Sequence, residues 1–74
     1  MIVNTGRVLK DGTLVELGDK LQGSQTREVV VLWDEDNANY GVEVIGRSDF
    51  WWELDYYLSA WSDLKKTGNI NKRL

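Results

Sequence analysis

The chain contains no cysteine, no histidine and no proline among its 74 residues. Without Cys and His, disulfide and zinc staples are both excluded. The same two absences remove the usual general base and the best nucleophile near neutral pH. No Ser sits in a nucleophile-elbow pattern, so neither an enzyme nor a cofactor is expected. With no Pro and no Ser/Gly-rich tract there is no linker, and residues 1–74 are expected to form a single domain. Long apolar runs are lacking too. No stretch nears the roughly 20 apolar residues that a bilayer demands, and Met1 to Arg7 do not carry a secretion signal pattern. Membrane contact is therefore not expected. The missing Cys fits a reducing compartment such as the cytoplasm of a bacterial cell.

What the sequence does have is aromatic mass: four Trp, three Tyr and one Phe. A domain this short hides only roughly 60% of its unfolded surface, while each aromatic side chain can bury about 150–250 Å². The rings are therefore expected to staple the core. Charge is unevenly placed within a net of −3: residues 34–63 carry eight acidic side chains against one basic, and residues 64–74 carry four basic and none acidic. An acidic middle repels nucleic acid, which is not an expected partner, although Lys65, Lys66, Lys72 and Arg73 could touch phosphate. The plainer reading is that these charges keep an aromatic-rich domain in solution.

Glycine and Asx residues punctuate the chain. Asp11-Gly12 between Arg7-Val8-Leu9 and Thr13 to Leu17 signals a hairpin, because Gly accepts the positive φ of a tight reversal. Gly18-Asp19 and Gln22-Gly23-Ser24 mark a second break. Thr26 to Trp33 is the clearest strand and the expected centre of the sheet, since β-branched side chains in a row suit a pleat better than a helix. Asp34 to Asn39 breaks it with turn-forming side chains, and Tyr40 to Ile45 returns with alternating pattern. Alternation places Tyr40, Val42 and Val44 on one face opposite Val29, Val31 and Trp33. Residues 48–61 fit both periods. A strand over 49–54 followed by a short helix over 55–61, capped by Asp55, is expected, with a single helix over 49–64 as the rival. Leu64 to Ile70 reads as a last strand.

Thr5-Gly6 leading to Lys10-Asp11-Gly12, then Gly18-Asp19, then Val29 to Asn37, and finally Ser62-Asp63-Leu64 with Gly68-Asn69-Ile70, together resemble the C-terminal barrel part of the YopX family, small proteins of phages and prophages. The basic ending Asn69 to Leu74 departs from the acidic, proline-containing ending of that family. The resemblance implies a mainly β fold, a small SH3-like barrel of five to six short strands with one short helix, and a phage or prophage origin. It implies no catalytic activity and no particular site residue.

Candidate site residues come from the rings and the acidic loop. Phe50, Trp51 and Trp52 are adjacent, so on a strand Trp51 points away from the other two. Either the short helix covers it, or it is a free anchor of the kind that interfaces favour. An aromatic groove rimmed by acid would be built from Trp33, Tyr40 and Trp51 with Asp34, Glu35 and Asp36. Asp34-x-Asp36 copies the start of a calcium loop, but Ala38, Asn39 and Ile45 stand where that loop needs a ligand, a glycine and a bidentate Glu. No metal is expected. The expected function is a non-catalytic module that binds a protein partner or its own copies. An acidic host-directed inhibitor mimicking nucleic acid and a self-assembling structural protein are the alternatives.

Overall fold

The reversals at Asp11-Gly12 and at Asp34 to Asn39 are held by short-range hydrogen bonds that the sequence encodes. In the computed structural model, which describes residues 4–70, strand β1 (Asn4–Val8) turns into β2 (Leu14–Glu16) through the Asp11-Gly12 hairpin. Gly12 takes φ +88°, its N–H donates to the Leu9 carbonyl at 2.9 Å, and the Asp11 carboxylate accepts from the Thr13 N–H at 2.9 Å. These two strands form a small sheet of their own. The basic ending with Lys72 and Arg73 lies outside the described residues.

A second, five-stranded antiparallel sheet follows. It contains β3 (Asp19–Gln22), β4 (Val29–Asp34), β5 (Asn39–Val44), β6 (Arg47–Glu53) and β7 (Lys65–Asn69), in the order β6-β5-β4-β3-β7. Helix α1 (Leu54–Ala60) joins β6 to β7. The described residues are thus mainly β, seven strands in two sheets with one short helix, a small barrel-like fold. As expected, β4 is central, and its register with β5 pairs Val29 with Val44, Val31 with Val42 and Trp33 with Tyr40. Those pairs face the core, because alternate side chains along a strand share a face. Strand β3 is the element that the sequence pattern hides. It contributes only Asp19 and Leu21 to the interior, and a strand whose inward residues include a carboxylate carries no apolar alternation.

The ambiguous segment resolves as strand then helix. Trp51 pairs with Glu43 and Trp52 with Val42, which removes the single helix over 49–64. The expected cap does not form: Glu53 holds the N-cap position with extended backbone and no side-chain cap bond, and Asp55 lies inside the first turn. The reason is packing. Leu54 is buried, so the helix begins there. Asp55 is then turned toward β1, where its carboxylate takes the Arg7 guanidinium. That contact holds the Asp55 carboxyl below the usual carboxylate range.

The core departs from expectation more sharply. Its buried members are Leu9, Val15, Leu21, Val29, Val31, Val42, Val44, Leu54 and Leu64, joined by a single ring, Tyr57. The interior is aliphatic, and aromatic residues are not its staple. Valine fills the inward positions of the two central strands, while Trp33 and Tyr40 form the last inward pair before the hairpin tip. Tyr40, Trp52 and Trp61 seal the margin of the core, half-buried. Among the described residues no helix is long and apolar enough to cross a membrane.

Candidate functional site

The hairpin tip between β4 and β5 is organised by Asp34. Its carboxylate accepts from the Asp36 N–H at 3.0 Å and from Asn37 Nδ2 at 2.7 Å, and Ala38 closes the turn with φ +51°. Asp34 is thereby committed to the turn. The Glu35 and Asp36 side chains project from the exposed tip and have no cation partner among the described residues.

Of the six residues expected to form a groove, the structure brings five together. Trp33, Asp34, Glu35, Asp36 and Trp51 line one shallow surface of about 490 Å³, joined by Leu32 and Glu43. Tyr40 does not join them. Its ring meets the edge of Trp33 at 4.9 Å and 70°, and it opens instead onto a recess of about 240 Å³ beside Arg7, Leu54 and Asp55. The split follows from the pleat: Trp33 and Tyr40 are inward-face partners, whereas Trp51 and its partner Glu43 stand on the outer face. Trp33 reaches both surfaces only because it lies at the end of its strand, 45% exposed. Among the described residues no three acidic groups are placed to hold a metal ion.

Trp51 is neither roofed by the helix nor free in solvent. Helix α1 packs on the opposite face, where Tyr57 lies 5.5 Å from Trp52. The indole of Trp51 spreads over Gly41 on the neighbouring strand and is half-buried there, so that a methyl group added at Gly41 would overlap its six-membered ring. Glycine is required at 41 for this close approach, since φ there is ordinary. Gly41→Ala is expected to cost about 1–3 kcal/mol by overpacking. Trp51→Ala in the same chain should recover most of that loss, a non-additivity that a denaturation cycle reads directly.

A second surface was not legible in advance. At the other end of the β4–β5 hairpin, Phe50 and Trp52 of β6, Tyr56 and Ala60 of α1, Trp61, and the 25–27 loop enclose a groove of about 350 Å³, within the size range of ligand sites. Phe50 and Trp52 are two apart on one strand and stack at 6.2 Å with 23° between their planes. Tyr56 is 59% exposed and Phe50 40%. Two arginines border these rings. Arg47 lies over Phe50, 4.9 Å from the ring centre, and reaches Asp49 at 3.5 Å, while Arg27 is exposed with no partner among the described residues. The signal available was the alternation of Phe50 and Trp52. That alternation points to the core, since nothing local shows that β6 is an edge strand whose inward side is only partly roofed by a seven-residue helix.

No family model, curated protein or solved structure matches the chain.

Proposed function

We propose that this chain is a non-catalytic binding module of phage or prophage type, similar to the YopX barrel, that acts in the bacterial cytoplasm. It engages a protein partner or its own copies through surface rings and the acidic loop. One observation carries this reading: of four Trp, three Tyr and one Phe, only Tyr57 is fully buried. The core closes on Val and Leu with Tyr40, Trp52 and Trp61 packed at its margin, so the exposed Trp33, Phe50 and Tyr56 are the rings that folding does not explain. They gather at two ends of the sheet, one acidic and one edged by arginine. Rigid rings with few torsions are favoured contact anchors, because ordering them costs little entropy. The lack of His and Cys supports a role without chemistry. The phage assignment is supported by the resemblance of Thr5 to Ile70 alone.

Capture from a bacterial lysate tests this. Wild type, Trp51→Ala and Tyr56→Ala would be compared at equal loading. Tyr56 is largely exposed, so its loss leaves the fold intact, and removal of a true anchor costs about 2 kcal/mol or more, roughly 30-fold in affinity. A partner retained equally by all three proteins would remove both rings from the proposal.

A further inference from the structure

The two surfaces are opposite in charge and sit at opposite ends of one hairpin. Strand β4 spans Val29–Asp34, roughly 20 Å of extended chain, with Arg27 just before it and Glu35 and Asp36 just beyond it. From this polarity we infer that the partner of the aromatic groove is a second copy of this chain, whose acidic hairpin tip seats between Arg27 and Arg47 against Phe50, Trp52, Tyr56 and Trp61. The inference rests on the binding-module reading and gives its partner.

Complementarity is the main support. The groove offers a guanidinium without a partner among the described residues, Arg27, and a second, Arg47, placed 4.9 Å from the Phe50 ring centre and shared with Asp49 at 3.5 Å. The tip offers two carboxylates without a cation among the described residues, on an exposed four-residue turn whose shape Asp34 fixes in advance. A turn already ordered loses little entropy on docking. Trp33, next to the tip and half exposed, adds an indole to the same contact. A nucleic-acid strand could also stack on the rings, but the acidic surface at the other end and the net charge of −3 oppose it. Tip and groove are different patches, so a single contact leaves one free tip and one free groove, through which further copies can add head to tail.

Sedimentation of the full chain tests the contact. At about 0.01 M salt, where the Debye length is about 30 Å, the weight-average mass of wild type should rise with concentration; at about 1 M, where it is about 3 Å, it should fall back to monomer. Glu35→Lys with Asp36→Lys makes the tip basic, and Arg27→Glu with Arg47→Glu makes the groove acidic. Each variant alone should associate at least roughly 10-fold more weakly, since like charges then face one another. Mixing the two restores opposite charge at both contacts and should restore assembly. Arg27→Glu alone, at an exposed position outside every strand, gives the same reading should the paired change disturb the β5–β6 turn. Wild type that stays monomeric at low salt, or a mixture that stays monomeric, overturns the contact. If Tyr56→Ala still loses a captured protein in that case, the binding-module reading survives its failure. Saturable quenching of the Trp fluorescence by oligo-dT, abolished by Arg27→Glu, would instead assign the groove to nucleic acid and overturn the second copy as its occupant.

Discussion

Asp19→Ala should destabilise the folded chain by about 3–5 kcal/mol, the cost of breaking a buried pair by removing one partner. That is a large share of the roughly 4–11 kcal/mol that a domain of this length has in total. Asp19 is 1% exposed. Its carboxylate accepts from the Glu16 N–H at 2.7 Å, from Asn69 Nδ2 at 2.8 Å and from Lys66 Nζ at 3.0 Å. One side chain thus ties the end of β2 to β3 and β7, linking the small sheet to the large one. Lys66→Met should cost less, about 2 kcal/mol, because the ammonium is a quarter exposed and partly screened, and the carboxylate keeps its two neutral donors. Both changes together should cost less than their sum, since neither then strands the other. Urea denaturation of the four proteins reads all of this.

The same network makes stability depend on pH at the alkaline end. Burial works to lower the Lys66 pKa, but hydrogen bonds and charge from Asp19 and Glu16 together outweigh it and hold the ammonium above the usual lysine value. A pKa raised by folding contributes fully below the unfolded value of about 10.4 and is lost as pH climbs through the folded one. The acid limit runs the other way. Asp55 is held low by hydrogen bonding from Arg7, Asp11 by hydrogen bonds from Thr13 and Asp63 by hydrogen bonds from Ser24. Their contribution is present above about 3.9 and is lost as pH falls through the lowered values. With no His in the chain, stability between these limits should be nearly flat.

What could be read from the sequence was what neighbouring residues encode. Val29-Val30-Val31 declared the central strand, Asp11-Gly12 and Asp34 to Asn39 declared the reversals, and alternation gave the β4–β5 register. Strand β3 stayed hidden because the groups that make a buried Asp19 tolerable, Lys66 and Asn69, are about fifty positions away. The helix start was misplaced by the same kind of distance. Asp55 looks like a cap until Arg7 arrives from β1. Trp33 and the acidic tip could be read together because they are contiguous in sequence, whereas Trp51 joins them through its pairing with Glu43 across the sheet. The arginine-bordered groove was not, since it joins a loop, an edge strand and a helix that only the closed sheet brings together.

Leu54→Ala should cost about 2–5 kcal/mol, as for other fully buried leucines, and its effect on the two surfaces should differ. Helix α1 has seven residues and no side-chain cap. An isolated helix of that length does not form in water, so α1 exists because Leu54 and Tyr57 are anchored in the core. It also supplies Tyr56 to the groove and leads into Trp61. Truncating Leu54 loosens that wall, while the acidic tip and Trp33 are held by β4 and β5 and do not need it. Hydrogen exchange separates the two. The Trp61 N–H, bonded to the Tyr57 carbonyl at 3.2 Å, should lose protection through local opening, whereas the β4–β5 amides should weaken only by the fall in global stability. Groove binding should decline with α1, as it should in Tyr56→Ala, where the ring removed is largely exposed. Equal loss of protection in helix and hairpin would mean that α1 and the sheet open as one unit, leaving Tyr56→Ala as the means of separating groove contact from folding.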